Sequence, residues 1–486
     1  MSTMVDWRKL ISFIGPGLLI TCAYIDPGNY STSTNAGAQF GYIHLFIIFL
    51  SNIFAIILQC LCIKLGTVTG LDLAQNCRKH LPRWLNITVY VLAELAIIFT
   101  DLAEIVGTAI ALYILFGIEL KVGVLLTIFD VLVILLAYNP DGSLKEIRKF
   151  EFFVSFLVLA AFACFIVLMN KVEIPNKREL LEGFLPSKQL FTSKESIYLA
   201  LGIIGATVMP HSLYLGSSLV KPRLREFDTS NQKDAGPLQV QSVVQDANED
   251  TYRPSLAAID YCLNYSYAEL VCSLCIVAVF INSAILIVSA AALFNKPEAM
   301  DADLISIYEL LSHYVSKTAG FIFAIAMLFS SIAAGIICTM SGALVAEGCL
   351  EWKLNPFYRR IVTRSIAIVP CMAMALFMGR EGIATILNLS QVILSLILPF
   401  VSAPLLYFTS NKNIMKVKVQ VQQPQDLEND TPTETSLLMP ARKGEAFKDF
   451  SNSAITNVLA FLTWGTIGFL NIYLIVQYFR GEDIHF

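Results

Sequence analysis

The chain has 486 residues, a formal net charge of −4, 56% hydrophobic residues and only 15% charged ones, where a soluble domain carries roughly 25% charged residues. So few charges cannot cover a water-facing surface of this size, which excludes a soluble enzyme and leaves much of the outside facing lipid. The slightly acidic balance also speaks against a nucleic-acid partner. The chain has eleven cysteines, but Cys22, Cys60, Cys62, Cys164, Cys262, Cys272, Cys275, Cys338 and Cys371 lie in long apolar runs. There a thiol behaves as a small hydrophobe and implies no disulfide framework.

Crossing the hydrocarbon core takes about 20 apolar residues, and the sequence offers eleven such stretches. They run over 10–34, 45–66, 86–115, 121–138, 151–170, 196–220, 260–292, 318–346, 362–379, 383–409 and 453–479. Residues 1–9 are too short and too charged for a cleaved signal, so the first span is expected to stay. The expected class is all-α, a polytopic membrane protein with about 11 transmembrane helices.

Orientation follows from loop Lys and Arg. Arg8 and Lys9 precede span one. Lys64, Arg78, Lys79 and Arg83 surround loop two–three, and Lys145, Arg148 and Lys149 lie in loop four–five. Lys353, Arg359, Arg360 and Arg364 fill loop eight–nine. After span seven, Glu298, Asp301, Asp303 and Glu309 face only Lys296 and Lys317. This predicts a cytoplasmic N-terminal tail (1–9) and a non-cytoplasmic loop at 171–195 between two five-span repeats, 10–170 and 196–410. Segments 222–255 and 411–450, rich in Gln, Asp, Asn and Pro, are expected to be disordered cytoplasmic linkers. The eleventh span and a non-cytoplasmic C-terminus occupy 451–486. Glu434-Thr-Ser-Leu437-Leu438 looks like an acidic-dileucine sorting signal with the acid one residue too close, and an incidental leucine pair explains it as well.

Two spans are interrupted at matching places. In span one, Ala23-Tyr24-Ile25-Asp26-Pro27-Gly28-Asn29 sets a carboxylate, a proline, a glycine and an amide in the middle of an apolar run. Pro27 removes a backbone donor, Gly28 tolerates any backbone angle, and the freed carbonyls need a partner other than lipid. Asp26 at mid-membrane costs at least ~2.5 kcal/mol, so it must face protein or water. Span six repeats the device in Gly205-Ala206-Thr207-Val208-Met209-Pro210-His211. A proline kink would explain either break alone. Both together, at corresponding places in two five-span halves, point to an inverted-repeat transporter with its site at the midplane. An Asp carboxylate, an Asn oxygen, free carbonyls and a Met sulfur form a mixed set that leans towards first-row transition metals and away from hard cations.

Asp26-Pro27-Gly28-Asn29 together with Ala206 to His211 resembles the natural resistance-associated macrophage protein (Nramp) family of proton-coupled divalent-metal transporters, over about residues 10–410. Met209-Pro-His-Ser-Leu-Tyr-Leu-Gly216, the short N-terminal tail and the ending Asp483-Ile-His-Phe486 are similar to the fungal Smf branch, and most to its vacuolar-membrane type. The resemblance implies a LeuT-type 5+5 inverted repeat with broken helices one and six. It also implies metal ligands at the Asp26 carboxylate, the Asn29 side-chain oxygen, the Met209 sulfur and the Ala206 carbonyl. The Ala23 carbonyl would join or replace a ligand as the cavity changes sides, and Gln391 would approach the metal when the outer side closes. Asp101, Glu104 and His211 would form the proton route. Iron or manganese and protons are then substrates, with no cofactor. The implied location is a vacuolar membrane, or else the plasma membrane or another endomembrane.

The sequence departs from the family pattern at Gly216, where many members have a second histidine. It departs again at Ser331-Ile332-Ala333-Ala334-Gly335 and at Ala343, where glutamines are usual. Glu94, Asp130 and Glu269 lie in spans and are expected to bond internally, and His44 to sit at the membrane interface. Cys272 and Cys275 have metal-ligand spacing but no second pair, so packing is expected. Two alternatives remain, a Mg²⁺-selective or channel-like relative and a metal sensor without turnover. No nucleophile–base set or nucleotide loop suggests an enzyme.

Overall fold

A computed structural model describes residues 15–129, 144–174, 176–191, 193–234, 252–299, 303–350, 356–419 and 446–479. The helices are α1 Pro16–Cys22, α2 Pro27–Phe40, α3 Leu45–Thr69, α4 Leu73–His80, α5 Arg83–Phe116 and α6 Leu120–Leu126. They continue with α7 Leu144–Lys171, α8 Lys177–Glu182, α9 Lys194–Thr207, α10 Pro210–Ser218, α11 Lys221–Asp234 and α12 Leu256–Ser273. After a π-helical turn at Leu274–Ala278 come α13 Val279–Leu293, α14 Leu304–Tyr314, α15 Lys317–Leu350, α16 Pro356–Phe377, α17 Gly379–Ser410 and α18 Ala454–Phe479.

Among the described residues, eight helical segments are long and apolar enough to cross a membrane, and a shorter apolar stretch covers Arg364–Phe377 within α16. The first predicted span is two short helices, α1 and α2. The fourth, 121–138, begins with α6 and its remainder from residue 130 lies outside the described residues, as do Asp130, the 1–9 tail and Glu434 to Leu438. In its most apolar 18-residue stretch, the 194–230 segment that holds α9 and α10 has 94% of its residues buried against 28% in α18, so the broken sixth span forms the centre and the eleventh the rim. Large apolar side chains on the rim, such as Phe152, Phe156, Ile455 and Phe461, are exposed as a lipid-facing surface requires.

Close backbone approach holds the centre together, as expected where lipid removes most of the hydrophobic drive between helices. A Cβ on Gly66 of α3 would strike the Ser217 carbonyl of α10, and one on Gly205 of α9 would strike the Gln391 carbonyl of α17. α15 lies along α5 and α7, and α13 lies along α2.

Parts of the two predicted linkers are ordered. Residues 221–234 are helical, contrary to the expected disordered stretch at 222–255, and Arg223 within them is buried against Glu151 of α7 at 3.5 Å. A polar composition hid a helix whose ion pairs are long-range. In the 411–450 linker, β1 Lys416–Val419 pairs antiparallel with β2 Ala446–Asp449, pinned to α12 by Lys448 on Asp260 at 2.8 Å. His44 is buried rather than interfacial, with Nε2 3.0 Å from the Ser196 carbonyl. Cys272 and Cys275 face outward instead of packing inside.

At the N-terminus of α14, Asp303 caps Ser306 at 2.8 Å and receives Arg380 of α17 on both oxygens at 2.7 and 2.9 Å. Burial pushes the Asp303 carboxyl up, but the hydrogen bonds of Arg380 and Ser306 outweigh it and hold the group below the usual aspartate range. The contribution is present above the unfolded-state value of about 3.9 and is lost as pH falls through the lower folded value. Arg380 is 40% exposed, so screening limits the pair to about 1 kcal/mol or less. Asp303→Asn is therefore expected to melt slightly below the unmutated protein at neutral pH in detergent, with the gap closing below about pH 4. A gap that stays constant with pH would rule out the charge pair as its source.

Candidate metal centre

The two breaks meet at the middle of the bundle. α1 ends at Ala23, whose N–H still reaches back to Ile20 and Thr21, and α2 starts at Pro27, where a missing N–H costs nothing. Asp26 is extended and caps α2, its carboxylate accepting from the Gly28 and Asn29 amides at 3.0 and 3.1 Å. Opposite, α9 ends at Val208 and α10 starts at Pro210, with Met209 as its cap residue carrying no side-chain cap bond.

Three oxygens converge on the Asn29 amide nitrogen. It donates to the Asp26 carboxylate at 2.7 Å, the Ala206 carbonyl at 3.0 Å and the Tyr24 carbonyl at 3.1 Å. The Asn29 side-chain oxygen accepts from the Thr207 hydroxyl at 3.1 Å. Asn282 of α13 donates to the same Tyr24 carbonyl at 3.0 Å. Asp26, Asn29, Ala206, Met209 and Gln391 are all 0% exposed, so the centre is closed from both ends. Such a knot of oxygens from two helix breaks is suited to holding a cation, because broken-helix carbonyls and a carboxylate all present negative charge to one point.

Gln391 lies against both breaks. A Cβ on Gly28 would strike its amide, and its side-chain oxygen accepts no hydrogen bond among the described residues. The Thr100 hydroxyl of α5 stands 3.7 Å from the Met209 sulfur and 3.4 Å from His211 Nδ1. His211 Nε2 has no partner among the described residues. The predicted ligands Asp26, Asn29 and Ala206 are thus joined by direct hydrogen bonds. In this closed arrangement Tyr24, rather than Ala23, offers the carbonyl beside Asn29.

The helix ends around the centre are latched. Glu269 of α12 accepts from the Gly15 and Gly17 amides at the start of α1, at 2.6 and 3.0 Å, so this buried acid bonds internally as expected. At the far end of α2's first turn, the Tyr30 and Ser330 hydroxyls meet at 2.9 Å.

The acidic pair of α5 is also buried. Asp101 forms an ion pair with Arg364 of α16, and Arg364 further donates to the Thr127 carbonyl at 3.4 Å. Counting Arg364 as a loop cation was wrong, because it lies at the start of an apolar stretch and is 5% exposed. Glu104 is 1% exposed and neither of its carboxylate oxygens finds a hydrogen-bond donor among the described residues. Thr100, one residue before Asp101, is the group that touches both Met209 and His211, so His211 approaches the acidic helix through a hydroxyl. Tyr24, Thr207, Asn282, Thr100 and Arg364 were not anticipated. Only Tyr24 and Thr207, each inside one of the two broken motifs, had a local signal.

Residues 17–423 match the family described as natural resistance-associated macrophage protein-like. The chain belongs to the Nramp family. Membership sets it among divalent-metal transporters, integral to the membrane, rather than enzymes. It is 55% identical to "Iron transporter SMF3" of Saccharomyces cerevisiae, with 100% of each chain covered. It is 49% identical to "Manganese transporter SMF2" of the same yeast, covering 98% of this chain and 90% of the relative. A crystal structure of the Eremococcus coleocola manganese transporter in complex with an aromatic bis-isothiourea substituted compound superposes with a TM-score of 0.74. That match has 30% identity and covers 98% of this chain and 90% of the other. The all-α, polytopic class expected from the sequence is thereby established for this Nramp chain, and the paired breaks are the elements that touch at its centre.

Proposed function

We propose that this Nramp protein carries Fe²⁺ or Mn²⁺ into the cytoplasm together with protons, out of an acidic vacuole. The observation that supports this reading is the convergence of the Asp26 carboxylate and the Tyr24 and Ala206 carbonyls on one buried amide nitrogen. That nitrogen sits where the three oxygens would hold a cation. On metal binding the Asn29 amide turns to present its oxygen. Thr207, now a donor to that oxygen, becomes the acceptor for the displaced nitrogen, so no buried amide group is left unpaired. Met209 supplies the sulfur, which favours Mn²⁺, Fe²⁺ and Cd²⁺ over Ca²⁺ and Mg²⁺. Ala23 and Gln391 exchange with other ligands as the cavity alternates.

Protons travel by Asp101 and Glu104, with His211 and Thr100 between the pair and the metal. The two carboxylates are three residues apart on α5 and share one face. Arg364 neutralises Asp101, so the acidic pair carries the charge of one carboxylate rather than two, and that single charge is the one exchanged with a proton. A location in the vacuolar membrane would let lumenal acidity drive both substrates inward.

Radiolabelled Mn²⁺ uptake into proteoliposomes, with and without an inward pH gradient, tests the reading. Uptake should rise with the gradient, and metal addition should acidify the vesicle interior. Asp101→Asn should flatten the pH dependence and reduce metal-driven proton flux while Mn²⁺ binding persists. If that variant acidifies vesicles as the unmutated protein does, the proton route lies elsewhere.

A further inference from the structure

Away from the oxygen knot, one ligand from α15 joins two from α5. Ligand atoms of Asp101, Glu104 and Cys338 all lie within 4.8 Å of one another, and all three residues are buried. We propose that these three residues form a second metal site, for a soft thiophilic divalent cation such as Cd²⁺ or Zn²⁺, distinct from the cargo site at the helix breaks.

Three observations carry it. The first is Glu104, whose two oxygens lack any donor among the described residues although the residue is 1% exposed. A buried carboxylate without donors is costly, and a cation relieves that cost. The second is charge. Arg364 already neutralises Asp101, so a divalent ion would meet one uncompensated carboxylate and one thiolate, giving a neutral cluster. The Cys338 thiol proton departs as the metal binds.

The third is geometry. Gly335 and Cys338 are three apart on α15 and face the same way, and a Cβ on Gly335 would lie 3.4 Å from Glu104 Oε2. α15 therefore passes alongside Glu104 at ordinary van der Waals distance, and the Cys338 sulfur on the same helix lies within 4.8 Å of both acids. Among the described residues the thiol otherwise donates only to the Ile97 carbonyl, at 3.5 Å, a weak bond for a thiol. Metal–ligand bonds of about 2.0–2.3 Å put ligand atoms about 3.5 Å apart, so side-chain adjustment of about 1 Å closes the cluster, with water as a fourth ligand. Gly107, one turn beyond Glu104 on α5, packs on Pro27 and Ser331, which leaves about 4.5 Å of helix rise between the break and the cluster.

The site's existence does not depend on the proton-route reading, but its consequence does. A cation held there would occupy Asp101 and Glu104 and stop proton exchange, so soft metals would act as dead-end inhibitors as well as cargo.

The test uses the full chain in nanodiscs with Cys272→Ser and Cys275→Ser, which removes the exposed thiol pair, and CdCl₂ as the probe. Bound cadmium per chain and the ultraviolet cadmium–thiolate absorption are measured together. The expected result is two cadmium ions in this parent and one after Cys338→Ser or Cys338→Ala, with the thiolate band lost and Mn²⁺ uptake retained. One ion should also remain after Asp26→Ala, with the band intact. Cadmium preincubation should suppress proton flux in the parent but not in the Cys338 variants. Equal cadmium and an unchanged band in both Cys338 variants would overturn the proposal. Two ions in the Asp26→Ala protein would instead count against the cargo site while leaving this one standing.

Discussion

Asp26→Ala is expected to insert and fold but to carry no Mn²⁺. Asp26 has two roles that the variant separates in magnitude. As the cap of α2 it accepts the Gly28 and Asn29 amides, and losing a cap costs about 1 kcal/mol, too little to unfold a bundle this extensively buried. As the one anionic group in the oxygen knot among the described residues, it would face a bound cation directly. Removing one partner of a buried charge contact costs about 3–5 kcal/mol, or two to three and a half orders of magnitude in affinity. Asp26→Asn sharpens the comparison, since its amide oxygen can still cap α2 while the charge is gone. Both variants should lose radiolabelled Mn²⁺ uptake in proteoliposomes while keeping their elution profile in detergent. Uptake by either protein near the unmutated rate would remove Asp26 from the site.

The second large effect falls on selectivity. Met209 is 0% exposed and makes no cap bond, and its sulfur is held by packing and by the Thr100 hydroxyl, which donates to it at 3.7 Å. Met209→Ala would remove both sulfur and volume, and a buried Met→Ala change costs about 2–5 kcal/mol in stability. Met209→Leu removes the sulfur at nearly constant volume, at under about 1.5 kcal/mol. Both should still move Mn²⁺, but excess Ca²⁺ should compete with Mn²⁺ about tenfold more effectively, a discrimination of about 1.4 kcal/mol. A hard ion gains little from a thioether, so its removal costs Ca²⁺ nothing and Mn²⁺ something. Ca²⁺ competition unchanged in Met209→Leu would show that selectivity arises from the oxygens and the cavity.

The sequence by itself determined the class of the protein and the place of its centre. Apolar length is a property of the chain alone, because a bilayer admits only segments that satisfy their own backbone. The breaks at Pro27 and Pro210 were equally legible, since a missing amide hydrogen and a ring clash act within one turn. What the tertiary structure decided is which groups meet. Tyr24 offers its carbonyl because α1 ends just before it and Asn282 of α13 lies alongside. Thr207 holds the Asn29 amide across two helices, and Gln391 rests on Gly28 because no Cβ stands in the way. Arg364 read as a loop cation because local sequence cannot say that Asp101, 263 positions earlier, waits inside the bundle to compensate it. Cys338 reads as a small hydrophobe, and the two acids near it belong to another helix, so their proximity is invisible in the local sequence. Whether a buried charge or thiol is packing or chemistry depends on partners far along the chain, and only the packing of α5, α15 and α16 brings them within reach.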